Sequence, residues 1–109
     1  MLIGDDGSRI ELDGNYILGR EPFEHPDVTG GTARPFLFLD TESEISRAHT
    51  RVSVANGQVT ITDLKSANGT YIAVPGANEW QGLVAHTPTP IAPGTRILIG
   101  QRTFVYHPE

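Results

Sequence analysis

The residues able to do chemistry in this chain fall in three short polar clusters: Gly19-Arg20, Ser46-Arg47-Ala48-His49, and Asp63-Leu64-Lys65-Ser66-Ala67-Asn68-Gly69-Thr70. Between them they offer a guanidinium, a hydroxyl and a side-chain carboxamide. A guanidinium presents a planar fork of N–H donors that matches phosphate oxygens. A carboxamide both donates and accepts, which suits a peptide backbone. The set suits holding an esterified phosphate and the peptide that carries it, and does not suit breaking a bond. One rival is nucleophilic catalysis by Ser46 with His49 as its base. Those two are only three positions apart, and no third group is evident to orient the imidazole. Asn68-Gly69-Thr70 also spells a glycosylation sequon, a use not expected without a signal peptide.

Each cluster lies at the end of a predicted strand, where connecting loops usually carry function. The apolar pattern has period two, punctuated by Asp6-Gly7, Asp13-Gly14, Gly30-Gly31, Asn56-Gly57, Asn68-Gly69, Pro75-Gly76 and Pro93-Gly94. Frequent turns between short alternating runs predict a β-sandwich or barrel. The clearest hairpin runs from Arg51 to Thr62, with Val52 and Val54 on one arm, Val59 and Ile61 on the other, and Asn56-Gly57 as a type I′ turn. Further strands are predicted at Arg9–Leu12, Tyr16–Leu18, Pro35–Leu39, Thr70–Ile72, Arg96–Ile99 and Thr103–Tyr106. The Phe36-Leu37-Phe38-Leu39 run is apolar on both faces and reads as a central strand. Glu21–Arg34 and Ala73–Gly94 read as long loops, functional or partly mobile. No ten-residue segment carries a helical stripe.

At 109 residues the chain reads as one domain, residues 1–109, large enough for a core without staples. Met1 is compatible with a compact domain cut from a longer protein. There is no cysteine, which excludes disulfides and thiolate metal sites and favours a reducing cytoplasm. No metal or other cofactor is expected. A formal net charge of −5 argues against nucleic acid and against an anionic membrane surface as partners. A phosphate would need a local basic spot, for which Arg20, Arg47, Arg34 and Arg51 are the candidates.

The order of the clusters is more specific than any one of them. Gly19-Arg20 ends one strand and Ser46-Arg47-x-His49 opens another. Asp63-Leu64-x-Ser66-x-Asn68-Gly69-Thr70 follows the hairpin, and Gly94-Thr95-Arg96-Ile97-Leu98-Ile99-Gly100 comes near the end. Over roughly Ile10 to Tyr106 this resembles the forkhead-associated (FHA) domain, a phosphothreonine-binding module. The resemblance implies an all-β fold, an antiparallel β-sandwich of about eleven strands whose loops at one end form the peptide site, and no catalysis. It implies that Arg20 and Ser46 hold the phosphate, that Arg47 adds an amide or a charge at the rim, and that Asn68 binds the peptide backbone. Gly19 would let the chain turn, His49 would tie the Ser46 loop in place, and Gly69 would provide a turn. The implied partner is a threonine-phosphorylated protein, a Ser/Thr kinase or its substrate. A pocket for the threonine methyl would favour phosphothreonine over phosphoserine by about 0.8 kcal/mol.

The chain departs from the family pattern at Ala67, where a Ser or Thr often adds a hydroxyl to the phosphate. The missing donor would weaken binding unless a backbone amide or Arg34 replaces it. Plainer roles exist for each residue. Arg20 could pair with Glu21 or Glu24, Ser46 could cap a turn, Asn68 could serve only as a turn former, and Asp63 could fix the turn before Leu64. Trp80 is expected to pack against the sandwich, with a wall for the peptide as its functional option. His25, His86 and His107 read as surface residues. The main alternative function is an FHA-shaped scaffold that joins proteins independently of phosphate. A carbohydrate-binding sandwich is disfavoured by the 7% aromatic content and the absence of an aromatic row.

Overall fold

The structure, a computed structural model, describes residues 1–40 and 42–108. Its strands are β1 (Leu2–Gly4), β2 (Arg9–Ile10), β3 (Tyr16–Gly19), β4 (Arg34–Leu37), β5 (Thr50–Ala55), β6 (Gln58–Asp63), β7 (Thr70–Ala73), β8 (Gln81–Gly82), β9 (Thr89–Ile91), β10 (Arg96–Ile99) and β11 (Arg102–Tyr106). They form two sheets, ordered β2-β1-β11-β10-β7-β8 and β4-β3-β5-β6-β9. Neighbours run antiparallel except β3 and β4, which are parallel. This is the expected all-β sandwich.

Alternation puts one set of side chains from each sheet into a shared core. Leu18, Val52 and Ile61 meet Leu2, Ile97, Ile99 and Phe104 there, all essentially inaccessible to water. The predicted hairpin forms β5 and β6 with Val52 opposite Ile61 and Val54 opposite Val59. Asn56 (φ 53°) and Gly57 (φ 77°) both take the positive angles of the type I′ turn. Phe36, Phe38 and Phe104 stack edge to face, with ring centroids 5.4–6.4 Å apart. The two chain ends lie together: the Met1 ammonium donates to the His107 carbonyl at 2.6 Å, and the His107 N–H donates to the Met1 carbonyl at 2.8 Å.

Several expectations are corrected. The Phe-Leu-Phe-Leu run is not a central strand: Phe36 and Leu37 end the edge strand β4, and Phe38 and Leu39 follow it. Phe36 and Phe38 turn inward, while Leu37 and Leu39 are 51% and 88% exposed. Pro35, which cannot donate to a ladder, fits an edge position. β1 was not predicted, and only Arg9–Ile10 of the expected Arg9–Leu12 strand pairs. The 21–34 segment is ordered by a 3-10 turn (Pro22–Glu24) and a four-residue helix, α1 (Pro26–Thr29). The Asp27 carboxylate pairs with the Arg51 guanidinium on β5, and the Asp27 carbonyl accepts from Thr32 and Ala33 at 2.9 Å. The 73–94 segment contributes β8 and β9.

Candidate functional site

β3 delivers Gly19 and Arg20 to one end of the sandwich, and the Ser46–Ala48 segment lies directly across them. The Arg20 N–H donates to the Ser46 carbonyl and the Glu21 N–H to the Arg47 carbonyl, each at 3.1 Å. A Cβ on Gly19 would sit 1.8 Å from the Arg47 carbonyl oxygen and 2.9 Å from that of Ser46. The glycine is therefore needed for close backbone approach rather than for the turn the sequence suggested.

Behind this contact lies a buried polar frame. His49 is fully buried. Its Nδ1 accepts from the Ser46 N–H at 3.0 Å, which fixes the proton on Nε2, the donor to the Gly69 carbonyl at 2.8 Å. Its backbone N–H reaches the Leu18 carbonyl at 2.8 Å, and its carbonyl accepts from Leu64 at 2.9 Å. One residue thus joins β3 and two loops. Burial lowers its pKa from 6.5, and the Gly69 carbonyl and the charges of Asp63 and Asp40 offset this only in part.

Asp63 anchors the second loop. Its Oδ1 accepts from the hydroxyls of Ser66 (2.6 Å) and Thr70 (2.7 Å). Because Thr70 spends its proton on Asp63, Thr50 is the donor in the 2.8 Å Thr50–Thr70 contact. The Ser66 hydroxyl in turn accepts from the Gly69 N–H at 2.9 Å, and Gly69 takes φ 84°.

The exposed groups sit on this frame. Ser46 Oγ accepts from the Ala67 N–H at 3.0 Å, which leaves its own proton available for donation. Asn68 Nδ2 donates to the Glu44 carbonyl at 2.9 Å, leaving a second N–H and the oxygen for another partner. Asp40 orders the approach: its oxygens accept from the Glu44 and Ile45 N–H groups at 3.1 and 2.7 Å. Burial pushes the Asp40 carboxyl up, but those N–H groups, that of Glu42 and the charge of Arg20 outweigh it and hold the pKa low. Glu21 stands between two guanidinium groups, its oxygens 3.7 Å from Arg20 Nη1 and 3.7 Å from Arg47 Nε. The pairing of Arg20 with Glu21 given above as its plainer role is therefore present.

The structure brings Arg20, Ser46, Arg47, Ala67 and Asn68 to one end of the sandwich, together with Gly19, His49 and Gly69. It does not bring Arg34 there. Arg34 pairs with Tyr16 in the β3–β4 ladder, three residues and about 10 Å before Gly19, and its guanidinium binds Asp13 at 3.3 Å. The Ala67 amide is taken by Ser46, so neither it nor Arg34 replaces the missing hydroxyl. Arg51 is committed to Asp27. Trp80 lies near Ala73 and Arg96, the other end of β7 from Asn68, with the Arg96 guanidinium 5.3 Å from its ring centroid. His86 and His107 are exposed, whereas His25 is half-buried and caps α1, its Nδ1 accepting from the Asp27 N–H at 3.1 Å. His49 Nδ1 faces the Ser46 amide, not its hydroxyl, so the pair lacks a nucleophile–base contact. Sequence reading gave no role to Asp40 or Thr50, named Glu21 only as an ion-pair partner for Arg20, and had Ser66 only as a member of the third cluster. Only the Asp63-x-x-Ser66 spacing, which favours a local side-chain-to-backbone turn, was available as a signal.

The FHA domain family model matches residues 16–100, and the chain belongs to that family. Solved structures agree. The FHA domain of the CT664 protein from Chlamydia trachomatis is 22% identical, with a TM-score of 0.71 over 99% of this chain and 95% of that one. The FHA domain of human APLF, in complex with an XRCC1 bisphospho peptide, is 20% identical, with a TM-score of 0.73 over 99% and 96%. The FhaA FHA domain, complexed with the intracellular domain of Rv3910, is 25% identical, with a TM-score of 0.64 over 95% and 94%. Among curated proteins no sequence match was found. The fold is that of a binding module.

Proposed function

We propose that the chain recognises phosphothreonine peptides and so recruits phosphorylated partners in Ser/Thr kinase signalling, in the cytoplasm, without catalysis of its own. One observation carries this reading: Arg20 and Ser46 share a hydrogen-bonded loop contact, while Asn68 is held beside them by Glu44. Arg20 and the Ser46 hydroxyl take the phosphate, Arg47 adds a charge at the rim, and Asn68 holds the peptide backbone. The phosphopeptide complexes of APLF and of Mycobacterium tuberculosis EmbR support the same use of the fold. The cysteine-free composition supports the location, and among the described residues no helix is long and apolar enough to cross a membrane.

Calorimetric titration with phosphothreonine peptides and matched unphosphorylated controls tests the reading. Arg20→Ala should abolish binding and leave the melting temperature within a degree or so of wild type, because its ion pair is exposed. Unchanged affinity in that variant refutes the assignment.

A second reading, a scaffold indifferent to phosphate, is favoured by Ala67 and by Glu21 standing where an anion would bind. Partner binding that survives phosphatase treatment would establish it.

A further inference from the structure

Glu21 is the side chain of the site to which the phosphopeptide reading gives no task. Its carboxylate lies between the two guanidinium groups that a phosphate would take, 3.7 Å from each. Both pairs are solvent-exposed, with Glu21 61% and Arg47 68% accessible, so each is weak and easily exchanged. Beside them opens a cavity of about 300 Å³ lined by Glu21, Phe23, Glu24, His25, Arg47 and Ala48. The turn that forms its wall is anchored by buried Pro22 and leaves Phe23 52% exposed.

Charge decides what this cavity would hold. A phosphate near pH 7 brings about −1.5 to −2, which matches the two positive charges of Arg20 and Arg47. Once those are engaged, Glu21 and Glu24 face the cavity without a cation. His25 cannot replace it through Nδ1, which accepts from the Asp27 amide. Two carboxylates beside an open aromatic face make a setting for an ammonium or guanidinium group, through ion pairing and cation–π attraction.

We propose that Glu21 is a specificity-determining residue. Displaced from Arg20 and Arg47 by the phosphate, it turns to hold a lysine or arginine of the bound peptide in the Phe23–Glu24 cavity. The module thus selects phosphothreonine with a basic neighbour. The inference rests on the phosphopeptide reading and deepens it.

The test is a titration with phosphothreonine peptides that carry Lys, Gln or Glu at one flanking position, scanned on both sides of the phosphorylated residue. At one position the Lys peptide should bind about fivefold more tightly than the Gln peptide, the scale of one exposed ion pair, and the Glu peptide should bind more weakly than either. In a Glu21→Gln/Glu24→Gln variant the Lys preference should disappear. That variant should also bind the Gln peptide more tightly than wild type does, because the internal competitor for the arginines is gone. Equal affinity for Lys and Gln peptides at every position overturns the proposal, as does a Lys preference that persists in the double variant. Failure of the underlying reading looks different: no phosphorylated peptide binds better than its control, and the proposal falls with it.

Discussion

The buried frame of the site and its charged rim adjoin each other and are built in opposite ways. The frame, His49 with Asp63, Ser66, Thr70 and Thr50, is tied together by buried or half-buried hydrogen bonds of 2.6–3.0 Å. Such bonds contribute about 0.5–1.5 kcal/mol each and about 1.5–3 when one partner is charged, and the cost of orphaning a buried partner is as large. The rim, Arg20, Glu21 and Arg47, is held by long exposed pairs, worth about 0–1 kcal/mol each. Position is fixed by the first and charge is offered by the second. A binding site built this way keeps its shape while its ionic partners can be exchanged at little expense.

Variants should separate the two regions sharply. Gly19→Ala should have the largest effect, because its Cβ would overlap the Arg47 carbonyl at 1.8 Å. We expect a loss above about 4 kcal/mol, in the range reserved for backbone strain and disrupted networks, read by denaturant unfolding. A wild-type midpoint would mean that the Ser46 loop does not rest on β3.

His49→Ala comes next. It orphans the Ser46 amide and the Gly69 carbonyl, at about 3 kcal/mol together, or about 13 °C in melting temperature. An undisturbed melt would remove His49 from the frame.

The same residue sets a pH dependence. Its folded pKa lies below 6.5, so as pH falls the unfolded chain takes up the proton first. Its stabilising contribution is complete above the unfolded value and is lost below it. The stability gap between wild type and His49→Ala should therefore narrow from about pH 7.5 to about pH 5.5. A gap that stays constant or widens would contradict the neutral Nε2–H ring.

The smallest effect belongs to the rim. Glu21→Gln should change stability by no more than about 0.5 kcal/mol. A larger loss would show that the rim also carries part of the fold.

Much of this was legible in the sequence, for local reasons. Asn56-Gly57 dictates its turn, and the flanking valines and Ile61 dictate the register of β5 and β6. The clusters carrying Arg20, Ser46 and Asn68 could be read as strand ends because turn residues follow period-two runs. What failed depended on distant partners. Phe36-Leu37-Phe38-Leu39 reads as buried on both faces until one knows that the fold has only two sheets, so that the side of β4 carrying Leu37 faces out. Arg34 looked near Arg20 until the parallel β3–β4 register placed it opposite Tyr16. Asp40 and Glu44 were invisible because one acts through loop amides and the other only through its carbonyl, bonded to Asn68 24 positions away.

Leu2 pairs with Tyr106, and Arg102, at the opposite end of β11, pairs with Ile99, the neighbour of Thr70. The hydrogen-bonded Met1 and His107 therefore occupy the pole of the sandwich away from Asn68. A dye, bead or fused domain attached at either terminus would trail behind the molecule, and an incoming ligand would meet an unobstructed front.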